Sequence, residues 1–187
     1  PTAAIKPITL NEKHGKGTFK KKGPIRIGTA FVDRSRCLPW VKNIPCIVCQ
    51  ENCPVSPKAI YTDEIFSTIR NGKLSVRTVK GKEVTLHKPV LTQGTLESGD
   101  YFLLVNNNVY KITANTSDMI TVSKNITATN IAKVAVQIKL QRPYIDIKQC
   151  IGCGICEHEC PVHGKKAIRI SAEGESRSPE KKLILRK

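Results

Sequence analysis

Between residues 73 and 141 apolar and polar side chains alternate in short runs, the two-residue period of half-buried strands. Residues 73–79 and 83–90 alternate on either side of Lys80-Gly81-Lys82, a hairpin signal. Residues 101–105 and 109–114 do so around Asn106-Asn107-Asn108, a second one. Residues 119–122 and 133–141 add two more strands. In the last, Val134, Val136, Ile138 and Leu140 share one face, and Lys133, Ala135, Gln137 and Lys139 the other. Six short strands over about 80 residues predict a small sandwich or barrel. Only residues 62–70 carry a helical period.

Outside this stretch the pattern changes and repeats. Residues 27–33 form a short apolar strand running into Arg36-Cys37, and residues 143–147 form another running into Gln149-Cys150. In each, an aspartate, Asp33 or Asp146, stands four residues before the cysteine. Later, Cys53-Pro54-Val55 leads to Lys58-Ala59-Ile60, and Cys160-Pro161-Val162 leads to Lys166-Ala167-Ile168. Each half reads as strand, cysteine loop, short helix, strand, and an internal repeat of this kind implies two related units. The predicted class is α+β. A pseudo-twofold unit is built from residues 25–61 and 143–171, an all-β insertion covers 62–142, and a basic arm (1–24) and a basic tail (172–187) flank them.

The eight cysteines fall wholly within the repeats. Cys150, Cys153, Cys156 and Cys160 with Pro161 follow C-x2-C-x2-C-x3-C-P, the ligand run of a bacterial iron–sulfur half-site, whose fourth cysteine serves the other cluster. Gly152 and Gly154 let backbone N–H groups approach cluster sulfurs. Cys46, Cys49 and Cys53 with Pro54 repeat the tail of the run, while eight residues, Leu38 to Pro45, separate Cys37 from Cys46. Two [4Fe–4S] clusters use every cysteine: Cys37, Cys46, Cys49 and Cys160 for cluster one, and Cys150, Cys153, Cys156 and Cys53 for cluster two. Three other readings stand beside this one. They are four disulfides, paired zinc sites, and a degenerate first half that holds no complete cubane.

At these residues the chain resembles two-cluster bacterial ferredoxins. Through the long Cys37–Cys46 loop it is similar to the ferredoxin-type proteins that accompany periplasmic nitrate reductase and methylamine dehydrogenase. The resemblance covers residues 25–61 and 143–171. It implies a ferredoxin-like unit that passes single electrons, as the iron–sulfur subunit of a larger oxidoreductase. It also favours export after cofactor loading, as does a sequence that starts at Pro1 without methionine; a cytoplasmic complex is the alternative.

Charge bears on the partner. The 187 residues carry +16, of which +7 lies in 1–36, +4 in 37–162 and +5 in 163–187. The sharpest patches are Thr18-Phe19-Lys20-Lys21-Lys22-Gly23 and residues 181–187. Such ends favour an acidic redox partner. Aromatics interleaved with the basic residues, which nucleic-acid binding wants, are limited to Phe19, so no nucleic acid is expected. A structural or polyanion-binding iron–sulfur protein is the second reading. No apolar run approaches the roughly 20 residues of a membrane span, which leaves at most peripheral membrane contact. There is no nucleotide fingerprint and no nucleophile constellation, so catalysis by the chain alone is not expected. Trp40 is read as an apolar shield for cluster one, and His158 and His87 as solvated residues.

Overall fold

In the computed structural model, residues 9–21, 23–128 and 130–176 are described. Lys22 and the tail patch 181–187 lie outside them. The chain divides into two units. One holds the described residues up to Val41, then Ile47–Thr62, then those from Pro143 on; the other holds Lys42–Cys46 and Asp63–Arg142.

The elements follow in the order α1 (Leu10–His14), a 3-10 turn at Gly17–Phe19, β1 (Thr29–Val32), α2 (Leu38–Val41) and α3 (Val48–Glu51). Next come β2 (Ile60–Lys80), β3 (Glu83–Leu86), β4 (Tyr101–Val105), β5 (Asn108–Asn115), β6 (Met119–Val122) and β7 (Lys133–Ile145). The last two are α4 (Ile155–Glu159) and β8 (Ile168–Ser171).

The second unit is a closed barrel in the order β2-β3-β6-β5-β4-β7. Its hairpins turn where the sequence supplies left-handed backbone: Gly81 at φ 58° joins Lys80 to Glu83, and Asn106 and Asn107, at 46° and 67°, join Val105 to Asn108. Alternation along β7 puts Val134, Val136, Ile138 and Leu140 inside. Leu103, Val84, Ile112, Ile120 and Val122, each essentially shut off from water, share one core with Val134 and Val136. Burying each such side chain contributes roughly 1.5–3 kcal/mol. Buried Asn115 orders the long β3–β4 connection, accepting from Leu96 N (2.9 Å) and donating to Thr92 O (2.8 Å).

Two stretches differ from the sequence pattern. Residues 62–70 are extended, as the first half of the 21-residue strand β2. Ile65, Phe66 and Ile69 mimic a helical stripe, but Thr62, Ile65, Thr68 and Ile69 are β-branched and stiff at χ1. Cross-strand contacts then hold the strand: Glu64 pairs with Lys139 at 2.7 Å, and the Phe66 and Phe102 rings meet edge-on at 5.1 Å. Gly72 admits the neighbouring backbone, since a Cβ there would stand 2.7 Å from Val136 O. Second, residues 133–141 and 143–147, separate strands in the sequence pattern, are joined in β7 up to Ile145, with Pro143 inside it.

In the first unit β1 and β8 pair antiparallel, Thr29 opposite Ser171 and Val32 opposite Ile168. Arg169 lies over the ring of Phe31, its direct partner across the strands, at 4.9 Å. The core of this unit is made of cysteines and small apolar residues: Ala30, Ala59, Ile60, Ala167 and Ile168 surround Cys37, Cys49, Cys150, Cys156 and Cys160. Helices α3 and α4, one from each half, pack on one another.

Candidate metal centre

Each cysteine loop is tied off by its aspartate. Asp33 donates its N–H to Ala167 O (2.7 Å), accepts from Ser35 N on Oδ1 (3.1 Å), and offers its carbonyl to Cys37 N (3.0 Å). Asp146 does the same in the other half, with Ala59 O (2.8 Å), Lys148 N (2.8 Å) and Cys150 N (3.0 Å). This is the Asx-turn chemistry that a short acidic side chain supplies. The Ser35 hydroxyl also donates to Asp33, at 2.6 Å, and holds its carboxyl below the ordinary range.

The residue after the third cysteine reaches the exit strand in both halves. Gln50 Oε1 accepts from Thr62 Oγ1 at 3.0 Å, and Glu157 Oε2 accepts from Ile170 N at 2.8 Å. The lysines of the two Lys-Ala-Ile repeats sit at the ends of the short helices. Lys58 Nζ donates to Gln50 O and Glu51 O at 2.8 and 2.7 Å, and Lys166 Nζ donates to Cys160 O at 2.7 Å. A cation there satisfies orphan carbonyls and complements the helix dipole.

These bonds cross between halves. Arg36, beside Cys37, donates to Lys165 O (2.7 Å) and His163 O (3.4 Å) of the second half, and Ile27 N donates to Ile151 O (3.0 Å). Arg26 fixes the approach to Cys150 through the carbonyls of Ile147 (3.0 Å) and Lys148. Gly152, at φ 70°, lies so close to Gly28 that a Cβ would come within 2.5 Å of the Gly28 carbonyl oxygen.

The crossing brings Cys53 into the second loop. One cavity is lined by Cys53, Cys150, Cys153 and Cys156, with apolar walls from Ala30, Val55, Ile60 and Ile170. Ala30 N–H donates to Cys150 Sγ at 3.3 Å. In the β1–β8 ladder Ala30 stands opposite Ile170, and these two N–H groups serve the site, one binding sulfur and the other the Glu157 carboxylate. Burial pushes the Cys156 thiol up to about 12, helped by the neighbouring Cys150, Cys153 and Cys49 sulfurs. Four sulfurs crowded into an apolar setting become thiolates together only if cations balance them. Iron does this, and the N–H donor to sulfur suits a cluster further, so the residues fit a [4Fe–4S] group.

Among the described residues, no three His, Cys, Asp or Glu side chains close on a point as a single metal ion requires. Thiolates on one zinc ion stand about 3.8 Å apart, whereas a four-iron cluster is held from its corners and spaces them wider.

Of the other set, Cys37, Cys49 and Cys160 are buried in the same core. Cys46 is half-buried and lies in the segment Lys42–Cys46, grouped with the barrel unit rather than with residues 25–61. Pro39, in the loop after Cys37, is buried, and Trp40 packs on the cysteine core. Trp40 also meets Tyr144 edge-on at 5.7 Å, Tyr144 stacks on Tyr61 at 5.6 Å, and Arg34 lies over Trp40 at 4.3 Å. His158 is exposed beside Glu159, at 2.9 Å from its Oε1, and His87 is exposed on the barrel.

Sequence reasoning missed Ala30, Arg26, Arg36 and the Arg34–Trp40–Tyr144–Tyr61 stack. A backbone donor such as Ala30 leaves no side-chain signal. Gln50 and Glu157 could have been found, since both follow the third cysteine of their repeat.

The family model described as the 4Fe-4S binding domain matches residues 143–164, the segment holding Cys150, Cys153, Cys156 and Cys160. No curated protein and no solved structure matches the chain. It is an iron–sulfur protein, and at this level of detail its chemistry is electron transfer.

Proposed function

We propose that the chain carries two [4Fe–4S] clusters and relays single electrons between redox partners, as the iron–sulfur subunit of a larger oxidoreductase. The observation that carries this reading is the cavity where Cys53, from the first motif, stands with Cys150, Cys153 and Cys156 of the second. A half-site run sends its fourth cysteine to the other cluster, so a crossing at Cys53 calls for its counterpart at Cys160. Cluster one then takes Cys37, Cys46, Cys49 and Cys160. The similarity to the ferredoxin-type accessory proteins named above points the same way, and the pseudo-twofold bonding of the first unit supports a ferredoxin-like arrangement.

When bound, each cluster supplies a centre that gains and loses one electron with little rearrangement. The chain's own residues do the rest. Ala30 N–H stabilises added negative charge at Cys150 Sγ. The apolar walls keep water from the sulfurs. Asp33, Asp146, Gln50 and Glu157 hold the loops still, so that little reorganisation accompanies the change in charge. The barrel serves as a docking module.

The test is reduction of the anaerobically purified protein by dithionite, followed by electron paramagnetic resonance and reoxidation. Reversible signals from two interacting one-electron centres are expected. Clusters that hold the fold but do not take up electrons would instead favour the structural, polyanion-binding reading.

A further inference from the structure

The β2–β3 ladder stops at His87. Val76 stands opposite Leu86, and His87 N donates to Ser75 O at 3.2 Å. The next N–H on this edge would come from Pro89, which has none. The strands therefore part. β2 extends on past Lys73, while the chain after β3 leaves towards Ser117, whose carbonyl accepts from Leu91 N at 3.1 Å.

A cavity of about 520 Å³ opens where they part. Leu74 and Leu86, both buried in the barrel core, line it from below, together with Val90, which is 58 % exposed. Lys73, Ser75, His87 and Lys88, all exposed, form its rim. Alternation along β2 explains the division: Leu74 and Val76 are buried, so Lys73 and Ser75 face outwards.

Among the described residues no acid lines the cavity. On the β7 side, Val76 N donates to Ala132 O (3.0 Å), and the next residue, Lys133, is exposed. On the β6 side, Leu86 N donates to Asp118 O (2.7 Å), and the Asp118 carboxylate accepts from Thr116 Oγ1 at 3.2 Å. Glu83, on β3, stands opposite Lys80. In the β3–β4 connection Glu97 lies by Gly94, and Asp100 accepts from Ser98 Oγ at 3.4 Å. The neighbouring acids thus lie outside the lining, and two of them are already engaged.

We infer that this cavity binds an organic phosphate monoester, its phosphate on Lys73, Ser75, His87 and Lys88 and its apolar body on Leu74, Leu86 and Val90. Two ammonium groups match the roughly two charges of a phosphate monoester near neutral pH, and the hydroxyl and the imidazole N–H add donors. A carboxylate carries half that charge. The volume falls in the roughly 300–1,000 Å³ range of small-molecule sites, which combine apolar walls with a few convergent polar groups. All of these residues belong to the barrel unit and none to a cysteine motif, so the site does not depend on the electron-transfer reading.

The test is titration calorimetry of the full holo-protein with phenyl phosphate, inorganic phosphate, benzoate and phenyltrimethylammonium. Phenyl phosphate should saturate a single site about tenfold more tightly than inorganic phosphate or benzoate, and the cation should not bind. Lys73→Gln with Lys88→Gln should weaken phenyl phosphate about tenfold. Lys80→Gln with Lys124→Gln, the same change of net charge elsewhere on the barrel, should leave it within about twofold. Val90→Asn should weaken phenyl phosphate and leave inorganic phosphate unchanged. Native iron content and thermal unfolding confirm the fold of each variant. Sedimentation with vesicles of phosphatidic acid in phosphatidylcholine separates the sources. Retention lost in the Lys73 and Lys88 pair alone assigns the phosphate to a lipid headgroup; any other result assigns it to a free ester. Equal weakening by the two lysine pairs, inorganic phosphate binding as tightly as phenyl phosphate, or no saturable binding to the native protein would overturn the inference.

Discussion

Gly152 lies against Gly28 with no room for a side chain: a Cβ at 152 would stand 2.5 Å from the Gly28 carbonyl oxygen and 2.7 Å from its carbonyl carbon. Both contacts are backbone, and Gly152 is also left-handed at φ 70°. Gly152→Ala should therefore displace the loop carrying Cys150 and Cys153. Iron should fall from about eight to about four per chain, with cluster one retained. Full loading of the variant would show that the loop tolerates displacement and that this approach does not set the site.

Ala30 donates its N–H to Cys150 Sγ rather than to a strand. Hydrogen bonds to cluster sulfurs favour the reduced, more negative state. Ala30→Pro removes this donor at a position where no ladder bond is lost. In a redox titration followed by electron paramagnetic resonance, one centre should move to lower potential while the other stays. A variant with full iron content and both potentials unmoved would leave the bond without a role in tuning.

Glu157 and Gln50 occupy equivalent places, each accepting from the strand that leaves its half. Glu157→Gln should be mild, because an amide oxygen already does this work at Gln50. Glu157→Ala leaves the Ile170 N–H without its partner and should cost about 1–3 kcal/mol. Denaturation of the two holo-variants measures the difference, and equal stabilities would contradict the equivalence.

Cys156 has its thiol raised to about 12 from an ordinary 9.0, first by burial and then by nearby sulfurs. In the iron-free protein it stays a protonated, unreactive thiol at pH 8, while Cys153 faces solvent. Iodoacetamide followed by mass mapping should label Cys153 early and Cys156 last. The sign for stability follows from linkage. The folded state keeps the proton that the unfolded chain releases, so this contribution is intact below about pH 9 and is lost as pH rises towards 12. Loss of apo-protein stability over that window should be smaller in Cys156→Ser.

Much of this arrangement is legible before any coordinates. The alternation along residues 133–141 is visible because one face of β7 is the barrel core. Paired positions such as Asp33 and Asp146, or Lys58 and Lys166, are visible because the same local bond is needed twice. The meeting of Cys53 with Cys150, Cys153 and Cys156 can be read from spacing. Residues 62–70 mislead because apolar residues at helical spacing also fit a strand whose partners are distant in sequence. Ala30 and the Gly28–Gly152 approach are invisible because they involve backbone alone. Arg26 and Arg36 act on carbonyls more than 120 residues away, which no local pattern announces.

The central claim is that eight cysteines hold two clusters, with Cys53 and Cys160 exchanged between motifs. Its most direct measurement is iron and acid-labile sulfide per chain in the anaerobic native protein and in Cys53→Ser. The account predicts about eight of each in the native chain, and in the variant loss confined to the cluster held by Cys150, Cys153 and Cys156. About four of each in the native chain, or loss in Cys53→Ser confined to the cluster held by Cys37 and Cys49, would contradict it.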